Sequence, residues 1–251
     1  GKIDIRALGR EDLEDTPFFA EEMTNMFPEV LGNMSLRPGT EYKATTLNNT
    51  KAYAIPFIKA NNDKTFLEFT DYKFRAFDYD NGVFVSRPSV STAITNGTFD
   101  SNITGWTDAD ESGCTSSWQT GGFLKLLGNG FNYAIVKQKV AVTLADRGKE
   151  HAIRLVVTNG KVRLKVGSTD GGGEYVEYEN LSEGEHSIAF TPTSEYIYIS
   201  LASLTTYGTL VNSCTIEASG DMTITTPVSS ANLGLIRKEQ SLDVIYVACK
   251  G

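Results

Sequence analysis

A chain of 251 residues is long enough for one large β domain or two smaller ones, and 40% hydrophobic with 22% charged residues marks an ordinary folded protein, not a disordered one. A formal net charge of -8 opposes binding of the whole chain to phosphate backbones, although it leaves room for a local basic patch at an interface. No apolar run approaches the roughly 20 residues of a membrane helix, and Gly1-Lys2-Ile3-Asp4 lacks a signal-peptide pattern.

Aromatic residues at 10% together with 23 glycines lean toward strands and turns. The helical signals lie between Leu8 and Gly32. Asp15-Thr16-Pro17 reads as a helix start, Phe18, Phe19, Met23 and Met26 share an apolar face, and Pro28 and Gly32 end the run. Arg37-Pro38-Gly39-Thr40 is turn chemistry. From Glu41 the period changes to two. Tyr53 to Ile58, with Pro56 marking an edge or bulge, pairs with Thr65 to Phe69. Lys73 to Phe77 and Val83 to Val85 flank the hairpin signal Asp80-Asn81-Gly82. The result is an antiparallel meander.

Near Asn96 the composition shifts. Residues 96–130 are rich in Gly, Ser, Thr, Asn and Asp, and read as loop; Gly128-Asn129-Gly130 is a turn within it. Strands return at Tyr133 to Val142. Ala152 to Thr158 and Lys161 to Val166 are predicted to form a hairpin across Asn159-Gly160. Val162, Leu164 and Val166 face one way, Arg163 and Lys165 the other. Asp170-Gly171-Gly172-Gly173 is a flexible tip. Glu174 to Tyr178, His186 to Phe190, Glu195 to Leu201 and Cys214 to Ala218 complete a set of short strands that indicates a sandwich or jelly roll. Ile197, Ile199 and Leu201 point opposite to Tyr196 and Tyr198. Leu242 to Val247 is a last strand, so near Gly251 that the natural chain is expected to continue.

Three cysteines, Cys114, Cys214 and Cys249, show neither CxxC spacing nor histidines at zinc-site spacing. Reduced, partly buried thiols are favoured over a Cys114–Cys214 bridge. Catalysis has little support. His151 and His186 come without GxSxG, a nucleophilic cysteine motif or HExxH, and nothing singles out one carboxylate pair among the acidic residues for glycoside hydrolysis.

Two resemblances add to this reading. Leu8-Gly9-Arg10-Glu11-Asp12-Leu13, then Asn25, Pro28, Gly32 and Arg37-Pro38-Gly39-Thr40 in register, then Ile55-Pro56-Phe57 and Leu67-Glu68-Phe69, and finally Gln240 to Tyr246, resemble tail nozzle proteins of short-tailed bacteriophages. The chain departs from that pattern at Val30-Leu31-Gly32, where Gln-Gly-Gly is usual, and lacks the family's "GELSP" stretch. The resemblance implies a virion tail subunit, built in the host cytoplasm, that rings with copies of itself as a hexamer and contacts other tail proteins; its body would be the beginning of a propeller. It also implies that Arg37, Pro38 and Gly39 fix a signature turn. Separately, Asn96-Gly97-Thr98-Phe99-Asp100 with Gly105-Trp106-Thr107, and Val166 to Gly172, resemble carbohydrate-binding jelly rolls.

The expected fold is mostly β: a meander or partial propeller-like platform (residues 1–93, opening on a short helical arm), an inserted jelly roll (94–226) and a return strand (227–251). The expected function is structural, a non-enzymatic tail component. The alternatives are a module that binds host-surface glycan during adsorption and, less favoured, a polysaccharide-degrading enzyme. Sugar binding needs flat aromatic faces, for which Trp106, Trp118, Tyr133, Tyr175, Tyr196 and Tyr198 are the candidates, with Tyr178 and Tyr207 behind them. The plainer reading makes Trp106 and Trp118 packing residues and lets Tyr196 and Tyr198 stack at a subunit interface. No cofactor is expected. A structural calcium ion, which related jelly rolls often hold, would draw on Asp100, Asp108, Asp110, Glu111, Glu217 and Asp221, although solvated loop carboxylates are the favoured reading.

Overall fold

The computed structural model describes residues 24, 26–28, 34–37, 39–60 and 63–250. It divides into two units, Gly1–Ala44 and Thr45–Gly251. In the first, β1 (Met26–Pro28) pairs antiparallel with β2 (Met34–Leu36). Met26 therefore sits in a strand, which corrects the helix expected there. Pro28 lacks an N–H and biases Phe27 toward extended backbone, so this end of the segment favours pairing over a helical turn. Phe18, Phe19 and Met23 lie outside the described residues, as does Pro38; Arg37 and Gly39 follow β2 without regular structure.

The second unit is nearly all antiparallel β and contains two hydrophobic cores. Its first strands, β3 (Tyr53–Ala60), β4 (Asp63–Thr70), β5 (Lys73–Asp78) and β6 (Val83–Phe84), pair in sequence order as a meander. Pro56 lies on β3, the edge strand, where a missing donor is tolerated. Ile55, Leu67, Phe69 and Ala76 form one apolar face. It is covered from the far end of the chain by Val228, Leu233 and Ile236, with Ile245 and Cys249 at its margin.

β7 (Ser86–Arg87) leads out of this body and β18 (Gly220–Asp221) leads back, the two pairing antiparallel; β19 (Ile224–Thr225) then adds to β5. β20 (Arg237–Ser241) and β21 (Val244–Ala248) form a hairpin. Leu242, expected to begin a strand, instead sits in the turn at φ 53 and 88% exposed. The Gln240 side chain docks on the edge of β3: Ile58 N donates to its Oε1 at 3.3 Å, and its Nε2 donates to Ile58 O at 2.7 Å.

Between β7 and β18 the chain builds a two-sheet sandwich from β8 (Thr107–Asp108), β9 (Thr115–Gln119), β10 (Phe123–Leu127), β11 (Ala134–Ala141), β12 (His151–Asn159), β13 (Val162–Gly167), β14 (Val176–Leu181), β15 (Gly184–Phe190), β16 (Tyr196–Ser203) and β17 (Thr209–Ile216). One five-stranded sheet runs β15-β12-β17-β10-β9, the other β14-β13-β16-β11-β8. Their inner faces meet around Leu124, Leu126, Ile153, Leu155, Leu164, Ile197, Ile199 and Leu201, all fully buried. The segment read as loop, residues 96–130, thus contributes β8, β9 and β10 and two core leucines.

Asn159-Gly160 does not make a hairpin. It turns the corner from one sheet to the other, because β12 and β13 belong to opposite sheets. Gly160 holds φ +83, and a Cβ there would meet Thr209 Oγ1 at 2.6 Å, so the corner packs directly on the start of β17. Thr209 Oγ1 in turn donates to Lys161 O at 3.1 Å, fixing that contact.

Buried charges join the two cores. Arg87 on β7 donates from Nε to Glu217 at 2.8 Å, from one terminal nitrogen to Glu150 at 2.6 Å and from the other to the Ser187 hydroxyl at 2.9 Å. Arg154 on β12 lies 3.2 Å from the second Glu217 oxygen, pairs with Glu185, and donates to Thr223 O at 2.6 Å. Burial disfavours the charged Glu217, but hydrogen bonds from Ser187 and Arg87 and the charges of Arg154 and Arg87 outweigh it and hold the carboxyl below its usual range. The three cysteines are free thiols. Burial pushes Cys214 up to about 12.

Candidate functional site

Strict alternation in β11, β13 and β16 sends Val136, Val140, Val162, Leu164, Val166, Ile197, Ile199 and Leu201 into the core and the intervening residues to the outer surface. Strand register then fixes what lies beside what on that outer face. One row crosses the sheet as Thr107, Lys137, Ser200, Lys165 and Glu177. The next row holds Lys139, Tyr198 and Gly167; the row on the other side holds Ile135, Ala202 and Arg163. Tyr196, opposite Ala141, stands one row beyond Tyr198.

The face is polar, with aromatic rings set into it. Lys165 Nζ lies 2.6 Å from Glu177, Arg163 Nε lies 3.2 Å from Glu179, and Lys137 Nζ lies 2.9 Å from Asp170. A hydrogen bond from Lys165 and its charge keep the Glu177 carboxyl below the usual carboxylate range. Lys139 is held differently. Its Nζ sits 3.8 Å from the centroid of Tyr196 and 5.7 Å from that of Tyr198. Such contacts follow from attraction between a cation and the negative ring face.

A wall closes one side of the face. At Gly167 a Cβ would meet the Gly172 carbonyl carbon at 2.5 Å, so the loop after β13 lies directly on the sheet beside Tyr198. Glu174 accepts hydrogen bonds from the backbone and hydroxyl of Ser168, which braces the loop, and Asp170 reaches Lys137 two strands away. A tip expected to be flexible is thus folded back on the surface.

The sequence candidates separate by position. Trp106 is a core residue, 8% exposed, its ring 5.6 Å from that of buried Phe99 and its Nε1 donating to Asn96 O at 3.3 Å. Trp118 is opposite inward-facing Leu124 on edge strand β9 and is 37% exposed. It closes the sandwich edge and donates to Phe99 O at 2.8 Å. Tyr175 packs against the core, with its ring 6.3 Å from Phe190 and its hydroxyl 2.9 Å from Ser194. Tyr178 is exposed on edge strand β14, and Tyr207 is exposed in the turn before β17. Tyr133, Tyr196 and Tyr198 belong to the outer face, Tyr133 lying under the Arg163 guanidinium at 5.1 Å. From Tyr133 to Lys139 along β11 the face spans roughly 20 Å by strand rise. Lys137, Lys139, Lys165, Glu177, Glu179 and Ser200 also belong to this face and were not among the sequence candidates. The signal for them was the period-two alternation, which turns these residues away from the core, although buried Gln138 shows that a polar residue in the same strands can face inward.

The remaining candidate chemistry goes elsewhere. His151, 1% exposed, donates from Nδ1 to Lys149 O at 3.0 Å and lies 2.8 Å from the Thr92 hydroxyl through Nε2. His186 contacts Ser182 O at 2.7 Å. The carboxylates considered for calcium serve their own chain. Asp110 accepts from Ser116 and from Ile135 N, Glu111 accepts from Tyr133 N, Asp100 accepts from Thr98, and Glu217 and Asp221 pair with arginines. Among the described residues no group of three His, Cys, Asp or Glu side chains is placed to hold a metal ion.

No protein-family model matches the chain, and no curated protein matches it. Among solved structures, it is similar over 53% of its length to all of a module described as BiXyn10A CBM1, at 16% identity and a TM-score of 0.40. It is similar over 53% of its length to 97% of the CBM22-1 xylan-binding domain of Paenibacillus barcinonensis Xyn10C, at 15% identity and a TM-score of 0.34. It is similar over 54% of its length to 94% of a family 29 carbohydrate-binding module variant complexed with mannohexaose, at 15% identity and a TM-score of 0.34. Identity and score are low in every case, and the sandwich described above stands on its own strands.

Proposed function

We propose that the sandwich is a non-catalytic saccharide-binding module and that its ligand lies on the outer face of the β14-β13-β16-β11-β8 sheet. The observation that carries this is the grouping of Tyr196 and Tyr198 with Ser200, Lys137, Lys165 and Glu177 on one open sheet surface, with Tyr133 farther along it beside Arg163. Aromatic rings offer apolar faces to the C–H side of a sugar, and the lysines, serine and carboxylate supply donors and acceptors for its hydroxyls. A general acid needs a raised pKa, and Glu177 is shifted the other way.

Binding to a panel of immobilised polysaccharides tests the reading. Tyr198→Ala and Tyr196→Ala should each weaken the strongest interaction by about tenfold, equivalent to ~1.4 kcal/mol, with an unchanged circular-dichroism spectrum. A blank panel, or equal binding by both variants and the parent, would overturn it.

A second reading concerns the body that carries the module. Residues 220–249 return to the sheet left at Arg87, through β18 on β7, β19 on β5 and the shared apolar core. That arrangement favours the module as a guest within a host body that includes residues 45–93 and 227–250. With the sequence resemblance, it supports a place in a phage tail, the body forming a ring with its own copies and the module meeting host glycan at the virion surface. Electron microscopy of the protein should show rings; a strictly monomeric particle, even with tail partners added, would count against this.

A further inference from the structure

The geometry points to a carboxylate-bearing saccharide, such as a uronic-acid polymer, as the ligand class of this face, with Lys139 as the residue that selects it. The inference rests on the saccharide-binding reading and sharpens it. Each of the neighbouring outer-face cations has its own carboxylate: Lys137 has Asp170, Lys165 has Glu177, and Arg163 has Glu179. Among the described residues Lys139 has none within ion-pair distance. Its ammonium is held by Tyr196 and Tyr198 instead, and the residue is exposed.

An aromatic cage leaves a cation's charge unneutralised while limiting the positions its stem can take. An incoming carboxylate would therefore meet a pre-positioned ammonium and displace only water. At Lys137 or Lys165 it would first have to break an existing pair. The surroundings sharpen the contrast, since the chain as a whole carries -8 and repels anions elsewhere. Tyr198 lies between Lys139 and the loop wall over Gly167, so a sugar stacked on Tyr198 has its substituents within reach of the Lys139 ammonium. Ser200, diagonal to Lys139 across the β11–β16 pair, offers a hydroxyl to the same ring.

The test is calorimetric titration of the whole chain with oligogalacturonate, a sulfated glycosaminoglycan fragment, and xylo- and manno-oligosaccharides of matched length. Oligogalacturonate should bind roughly tenfold more tightly than the neutral sugars at low salt, a preference that falls as salt rises. Lys139→Met should abolish the preference and Lys139→Arg should keep it, whereas Lys125→Met, on β10 in the opposite sheet, should leave it in place. Tighter binding of the sulfated fragment would overturn the carboxylate assignment. Neutral sugars that bind as well as oligogalacturonate, unaffected by Lys139→Met but lost in Tyr198→Ala, would overturn the role of Lys139 while leaving the saccharide-binding reading standing. No binding in any arm would remove both.

Discussion

Trp106→Ala will destabilise the protein by about 3–5 kcal/mol, the range for removing a large aromatic side chain from a packed core, whereas Trp118→Ala will cost markedly less. The two tryptophans look equivalent as sugar-stacking candidates, but their surroundings differ. Trp106 is 8% exposed, packs on Phe99, which is fully buried, and donates to a backbone carbonyl that the smaller side chain would leave unpartnered. Trp118 keeps 37% of its surface in solvent at a sheet edge. Chemical denaturation followed by far-ultraviolet circular dichroism measures both. Similar losses for the two variants would contradict this placement of the rings.

Arg87→Ala will cost somewhat less, about 2–3 kcal/mol, because Glu217 loses its closest charged hydrogen-bond donor while Arg154 remains 3.2 Å from its other oxygen. The side chains of Arg87 and Glu217 are 8% and 3% exposed, and no other cation replaces the Nε contact. The same cluster sets an acid limit. In the folded chain Glu217 titrates below its ordinary value of 4.5, so its contribution to stability is fully present above that pH and is lost as pH falls through the lower folded value. Asp146, held down chiefly by the Ser91 hydroxyl and backbone N–H, acts in the same sense. Melting temperature should accordingly be flat near neutrality and fall below about pH 4.5. In Glu217→Gln, part of that acid dependence should disappear, together with some stability at neutral pH. An acid limb identical in Glu217→Gln and the parent would show that the cluster is not its source.

The strand content was largely readable from alternation, because a sheet with one wet face imposes a period of two. Val162-Arg163-Leu164-Lys165-Val166 and Tyr196 to Leu201 face as the pattern indicates. The meander from Tyr53 to Phe84 also pairs in chain order, as short turns between neighbouring strands require. Pairing inside the sandwich was less accessible. Its chain crosses repeatedly between sheets, so Asn159-Gly160, a strong local hairpin signal, joins strands that never pair. Turn chemistry reports a local change of direction; which sheet receives the next strand depends on contacts such as Gly160 on Thr209, far away in sequence. β8 to β10 were hidden by their polar, glycine-rich setting, although Leu124-Lys125-Leu126 carries the alternation in miniature. At Met26 a short apolar run fitted either period, and strand pairing prevailed.

For the candidate site, outward tyrosines on β16 were visible and their grouping was not. Tyr133 joins them only because β11 lies beside β16, and the cage around Lys139 exists only because that register places Lys139 opposite Tyr198. Trp106 shows the converse. Its Gly-Trp context is compatible with a binding residue or a core residue, and burial decides for the core.

On the proposed function, ligand contacts the outer face of the β14-β13-β16-β11-β8 sheet. Backbone-amide shift mapping by nuclear magnetic resonance during titration with oligogalacturonate tests it most directly. Perturbations should concentrate in Lys137–Ala141, Arg163–Gly167 and Tyr196–Ser200. Perturbations gathered instead around Trp118 and the β9–β10 edge, with those segments silent, would contradict it.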